Sequence, residues 1–141
     1  MRRFLPLLLL GAFLLPACHD SAGNHAHNAA PSDRLELNAG KKWQTDDHTR
    51  EALQGIRKVM AERPAATPAD INALGSHLKT RLDALISGCT MTGPAHDQLH
   101  VFLGKFLPVV DRMARETDTE KAKQAHREAG ELLAEYDRYF E

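Results

Sequence analysis

The chain is poor in the residues that staple or colour a small exported protein. Its 141 residues include two cysteines, one tryptophan and two tyrosines, and aromatic residues make up 6% of the total. Two cysteines cannot build a disulfide scaffold, and no Cys-x-x-Cys-His occurs, so covalently attached haem is excluded. No clustered basic face is present, and 18 Lys and Arg stand against 19 Asp and Glu. A nucleic-acid footprint would need such a face, so no nucleic-acid partner is expected. The longest apolar run, Phe4 to Leu15, has about a dozen residues and contains Pro6 and Gly11, too few for a permanent bilayer span, which needs roughly 20. No nucleophile-plus-base constellation and no carboxylate dyad stands out, so binding rather than catalysis is expected.

What is present begins with a leader. Met1-Arg2-Arg3 is a basic head before the apolar run, the layout of a secretory signal peptide. The run ends in Leu15-Pro16-Ala17-Cys18. This resembles the bacterial lipobox, with Leu three residues before a Cys and a small residue directly before it, Pro16 being a mild departure. The resemblance implies cleavage after residue 17, diacylglycerol on the Cys18 sulfur and acylation of the new N-terminus. Two or more acyl chains anchor stably where one does not. His19 rather than Asp follows Cys18, which by the same resemblance favours the outer membrane of a Gram-negative envelope. The rival is an ordinary secreted protein with an incidental cysteine. Removal of residues 1–17 takes Arg2 and Arg3 away, leaving 16 basic against 19 acidic groups and a net charge of about −3.

Residues 18–33 are small and polar and read as a tether between lipid and domain. His19, His25 and His27 lie in it, either as a loose metal-scavenging tract or as linker filling. Next, Leu35 and Leu37 alternate with polar residues before Asn38-Ala39-Gly40 turns the chain. This predicts a short extended segment laying Leu35, Leu37 and Trp43 on the body, with Trp43 as a packing anchor.

Four helical patterns follow, so the domain over 34–141 is expected to be all-α. The first runs from about Asp46 to Arg63, with Leu53, Ile56, Val59 and Met60 as its stripe and Pro64 as its stop. The second opens on Thr67-Pro68, with Asp70 nearby; its stripe is Ile71, Leu74, Leu78, Leu82, Leu85 and Ile86, and Gly88 is expected to end it left-handed. The third runs from Gly93-Pro94 to about Arg115, with Leu99, Phe102, Leu103, Phe106, Leu107, Val110 and Met113 inward. Pro108 and Gly104 suggest a kink or simple curvature. The fourth starts at a Thr117–Glu120 capping-box pattern and buries Ala122, Ala125, Ala129, Leu132, Leu133, Tyr136 and Phe140. Short loops make successive helices antiparallel, giving an up-down-up-down four-helix bundle.

The chemistry concentrates in Cys89-Thr90-Met91-Thr92-Gly93-Pro94-Ala95-His96-Asp97-Gln98-Leu99-His100. If lipid consumes Cys18, Cys89 is the one remaining thiol in an oxidising compartment, which calls for burial, an intermolecular disulfide or a metal. His96 and His100 are four apart and share a helix face. Both are expected to lean inward, His100 more so. Sulfur with imidazole suits Cu(I) first and Zn second, and not oxygen-seeking Ca or Mg. The positive end of the third helix would favour a Cys89 thiolate and a neutral His96, the forms that bind metal. Cys89, Met91, His96 and His100 are therefore the candidate ligands. Each also has a plain reading: Cys89 as a small buried hydrophobe, Met91 closing the bundle end, His96 in an exposed first turn, His100 bonded to a backbone carbonyl.

His77 and His126 flank the stripes of the second and fourth helices as interface-edge residues, and His48 is expected to be solvated. A bundle could also hold haem non-covalently between a Met and a His, such as Met60 and His126. Finally, Leu35-Glu36-Leu37-Asn38-Ala39-Gly40-Lys41-Lys42-Trp43 and the Cys89–His100 stretch resemble a group of small exported bacterial proteins. Their pattern is Leu-Asn-x-Gly-x-Lys-Trp followed by Cys-Thr-Met-x-Gly-x-x-His-x-x-Leu-His. The resemblance implies a shared helical fold and gives weight to the second stretch. It implies no activity. The functional expectation is an envelope lipoprotein whose bundle sequesters or transfers a soft metal; the alternatives are an interaction or structural lipoprotein and a haem-binding bundle.

Overall fold

The computed structural model describes residues 33–63 and 65–141. The expected signal peptide, the expected lipidation site Cys18, the histidines His19, His25 and His27 of the expected tether, and Pro64 lie outside them. Four helices make the body: α1 (Asp47–Glu62), α2 (Pro68–Gly88), α3 (Gly93–Arg115) and α4 (Thr119–Tyr139). Among the described residues no helix is long and apolar enough to cross a membrane.

Three of the four helices begin where side-chain chemistry satisfies their first amides, whereas Thr92, the cap of α3, makes no such bond. Asp46 accepts from the Thr49 amide at 2.8 Å and caps α1. Thr67 and Asp70 form a reciprocal capping box at α2, with Pro68 just inside it. At α4 the cap is Asp118, which accepts from the Lys121 amide at 2.9 Å, and not Thr117 as the capping-box pattern predicts. A carboxylate one residue later is the stronger acceptor and moves the start of the helix. Arg63, the residue before Pro64, is extended and ends α1.

The helices run antiparallel in succession. Lys79 of α2 pairs with Asp111 of α3, Arg112 and Lys105 of α3 pair with Glu128 and Glu135 of α4, and Arg57 of α1 pairs with Asp137 of α4. The core is the union of the predicted stripes, from Leu53, Ile56 and Val59 through Phe102, Phe106 and Met113 to Ala129, Leu133 and Tyr136, all buried. Met60, Leu107 and Leu132 of the stripes are half-buried, and two residues expected to pack inward are exposed. Ile86 is 46% exposed, because it sits about 100° round the helix from Leu85. Leu37 is 42% exposed while Leu35 is buried, because the chain leaves the body at the turn. Val109, missed in the sequence, is buried. α3 runs unbroken through Pro108, which is exposed, as is Gly104, the residue whose carbonyl the proline leaves unpaired; solvent can meet that carbonyl.

The four helices are not equally close. α2 packs on α1 and α3, α3 packs on α4, and α2 also meets α4 across the diagonal. At Gly75 the backbones of α2 and α3 nearly touch: a methyl there would lie 2.5 Å from the Ala114 nitrogen. Asn72 of α2 donates to the carbonyls of Met113 and Glu116 at 2.7 and 2.9 Å, locking the same seam. The buried face of α4 opens with Ala122, Ala125 and Ala129. Those small side chains let α4 drop toward α2, which leaves α1 and α4 in contact mainly through long side chains.

The N-terminal segment turns at Ala39-Gly40, both with positive φ, and Asn38 and Lys41 exchange backbone hydrogen bonds across the turn. The chain then pairs with its own C-terminus: the Trp43 amide donates to the Tyr139 carbonyl at 2.7 Å and the Glu141 amide to the Trp43 carbonyl at 2.9 Å. The Trp43 indole donates to the Glu36 carbonyl at 2.6 Å, and the Glu36 amide to the Gln98 side chain at 2.7 Å. The two segments that carry the resemblance therefore touch, at the end of the bundle where α3 begins.

Candidate metal centre

That end of the bundle gathers the starts of α1 and α3 and the close of α2. α2 stops at Gly88 without a left-handed residue: Cys89 is its extended cap. Gly88 instead leaves space for a neighbouring side chain. The His48 ring lies over it, so that a methyl at Gly88 would meet the ring at 2.5 Å. His48, expected to be merely solvated, has its Nε2 3.3 Å from the Ala84 carbonyl, although the residue is exposed. Two residues earlier, Asp46 accepts from both the amide and the hydroxyl of Thr90, at 3.1 and 2.7 Å. Partial burial alone would raise the Asp46 pKa. The hydrogen bonds from Thr49 and Thr90 outweigh it and hold the carboxyl well below the ordinary carboxylate range. One carboxylate thus caps α1 and fixes the loop that carries Cys89.

The thiol is half-buried. The hydroxyl of Thr49, a fully buried residue, lies 4.0 Å from the Cys89 sulfur, within reach of a weak donor contact. Thr49 is a neighbour of the candidate site not foreseen from the sequence. Its signal was its phase, since it shares the stripe of Leu53, Ile56 and Met60 although it is polar.

His96 and His100 project from the first two turns of α3. Their Nε2 atoms are 3.1 Å apart, and their rings meet edge to face, with centroids at 4.4 Å. His96 is half-buried and His100 is exposed, the reverse of the order expected. The inward face of α3 centres on Leu99, Phe102 and Phe106, and His100 lies about 40° further round from it than His96 does. Cys89, His96 and His100 line one cavity of about 100 Å³, together with Leu85, Leu99 and Leu103, and Ile86 stands at its edge. Met91 packs against the hydrophobic core and does not line the cavity. Among the described residues no three His, Cys, Asp or Glu side chains converge on a single ion position. The imidazole pair is closed, and Cys89 lines the same cavity.

A second histidine environment lies between α1 and α4. Met60, His126, Gly130 and Leu133 line an apolar groove of about 360 Å³ with Arg57 and Arg127 at its edges. The His126 Nε2 is shielded from solvent and has no hydrogen-bond partner. Burial, with Arg127 nearby, pushes its pKa below the usual histidine value. His77 accepts from the Arg81 guanidinium at 3.2 Å and takes part in neither site.

No protein-family model, no curated protein and no solved structure matches this chain.

Proposed function

We propose that this chain is an envelope lipoprotein, anchored through Cys18, whose helical domain binds a soft metal ion, copper(I) first and zinc second, for sequestration or transfer. The observation that carries the reading is the 3.1 Å approach of His96 Nε2 and His100 Nε2 on the wall of a cavity that Cys89 also lines. Two ring nitrogens at that spacing share either a proton or an ion. Around a tetrahedral ion with metal–nitrogen bonds of about 2.0–2.1 Å, two such nitrogens stand about 3.3 Å apart. The pair is thus close to a chelate before any ion arrives.

The cavity supports the choice of metal. Leucines supply the rest of its wall, so few oxygen donors compete, and a thiolate with two imidazoles suits a soft ion of low charge. Closure requires the Cys89 thiol to leave the Thr49 hydroxyl and approach the imidazoles. Met91 is the fourth candidate ligand, two residues along the same loop. With lipid on Cys18, no second thiol of the chain competes for the ion or is there to pair with Cys89 in an intramolecular disulfide.

The test is a Cu(I) titration of the full chain in mild detergent against a competing chelator under reducing conditions. One tight site is expected, lost when Cys89 and His100 are both replaced by Ala. Affinity unchanged in that double variant would place the metal elsewhere and favour the interaction or structural reading. Met91→Leu distinguishes ligation from packing: affinity falls if the thioether ligates and stays if it only fills the core.

A further inference from the structure

We propose that the turn over residues 36–42, at the end of the bundle where α3 begins, is a contact site for a membrane surface rich in anionic phospholipid. Leu37 and Ile86 are the exposed large hydrophobic residues among those described. Ile86 stands at the edge of the Cys89 cavity. Leu37 stands beside cations: Lys41 and Lys42 are exposed, and among the described residues neither makes an ion pair. Glu36 is the one carboxylate in the stretch Glu36–Lys42. The turn holds these side chains out as a unit. Ala39 and Gly40 take positive φ, 50° and 83°, and Asn38 and Lys41 exchange backbone hydrogen bonds at 2.8 and 3.0 Å. The Trp43 indole donates to the Glu36 carbonyl, so Leu37 and Lys42 stand opposite one another between the two links. The base of the turn is fixed to the body through Gln98, Tyr139 and Glu141. A surface held in place beforehand loses little freedom on binding.

A leucine beside two lysines suits an anionic interface: the apolar side chain enters the headgroup region and the ammonium groups meet phosphate. The mature chain carries about −3, so its bulk is repelled and a local cationic face decides which end turns to the surface. Each lysine near such a surface strengthens association by about fivefold. That is too little to hold a free protein, and the inference therefore rests on the lipid at Cys18 in the proposed function. Asp33 is the first described residue, and the chain between it and Cys18 reaches at most about 50 Å. The anchor keeps the turn beside the bilayer at an effective concentration on the order of millimolar, at which a weak contact is populated. It does not depend on the copper reading.

The full chain is purified from membranes, its intact mass is read for acyl groups, and it is reconstituted into phosphatidylcholine vesicles with or without phosphatidylglycerol. Trp43 is the sole tryptophan, so its quenching by a lipid with a nitroxide on the headgroup reports how near the turn lies to the surface. Quenching is expected to be deeper with phosphatidylglycerol and to fall back in high salt. Lys41→Gln/Lys42→Gln removes about 25-fold of the attraction and is expected to return quenching to the level of neutral vesicles. Leu37→Ser is expected to reduce it. Lys121→Gln, exposed at the opposite end of the bundle where α4 begins, is expected to change nothing. A mass without acyl groups overturns the anchor and this proposal with it. With acyl groups present, quenching that is equal in the two vesicles, or untouched by the double lysine substitution, overturns the proposal and leaves the anchor standing.

Discussion

The α2/α3 seam and the α1/α4 seam join antiparallel helices of similar length, yet one is shut and the other open. Across the first, Gly75 lets two backbones meet and Asn72 bridges to the carbonyls of Met113 and Glu116. Across the second, Arg57 spans the gap: it pairs with Asp137 and its guanidinium lies 5.3 Å from the centre of the Tyr136 ring. The difference comes from residue size. Small residues on an interface bring helices together, and long ones hold them apart while covering apolar surface. The α2/α3 seam ends in the narrow cavity lined by Cys89, His96 and His100, and the α1/α4 seam leaves His126 beside an apolar groove.

The largest effect should come from forcing the closed seam open. Gly75→Ala would place a methyl 2.5 Å from the Ala114 nitrogen and 2.8 Å from the Met113 carbonyl carbon, both backbone atoms. Neither can rotate away, so α2 and α3 must separate along Leu78, Leu82 and Phe106. The expected loss is about 3 kcal/mol, the upper end of ordinary overpacking, read as a fall in the urea midpoint. A loss under about 0.5 kcal/mol, within the range of neutral surface changes, would mean that the seam is looser than the backbone contact implies.

Much of this was legible in the residues. The Gly93-Pro94 start and Arg115 end of α3 agree with the helix found, as does the Thr67-Pro68 start of α2, because caps and prolines act locally. The apolar stripes name most of the core for the same reason: a period needs no partner to be visible. What escaped depends on partners. Gly88 resembles a left-handed stop but is a gap for the His48 ring. Trp43 pairs through its backbone with the last residues of the chain, nearly a hundred positions away. At the candidate site, the His96–His100 pair follows from spacing, whereas the approach of Cys89 to the same cavity, and its Thr49 neighbour, needed the packing of α1 on α2. Met60 and His126 could be paired by residue type; that a groove lies between them depends on how far α4 leans toward α2.

An intermediate effect should come from loosening α1, one side of the open seam, whose start is tied to the loop that carries Cys89. Asp46 ties its start to the Thr90 loop, so Asp46→Ala removes a cap and two further hydrogen bonds together. A loss of about 1–2 kcal/mol at neutral pH is expected, the range for a strong N-cap. The pH dependence follows from the lowered pKa. In the unfolded chain the carboxyl takes up its proton near pH 3.9, while the folded state resists it. The contribution is therefore present above about pH 4 and is lost as pH falls below that value toward the folded pKa. Wild type and Asp46→Ala should converge in acid, measured as urea midpoints across that range. A difference that stays constant down to acid would show that the capping charge is not what the variant removes.

The smallest effect has the opposite sign and tests the open seam directly. Gly130 is exposed in the middle of α4, and a methyl built on it meets nothing within 4 Å outside its own helix backbone. Glycine costs a helix interior up to about 1 kcal/mol relative to alanine. Gly130→Ala should therefore stabilise the bundle by an amount of that order, where the same substitution at Gly75 breaks it. The same methyl goes into a buried backbone contact at Gly75 and into open space at Gly130. If Gly130→Ala instead destabilised the protein, α1 would have to lie closer to α4 in solution than the groove allows, and the difference between the seams would narrow. A gain in the urea midpoint leaves α1 and α4 apart.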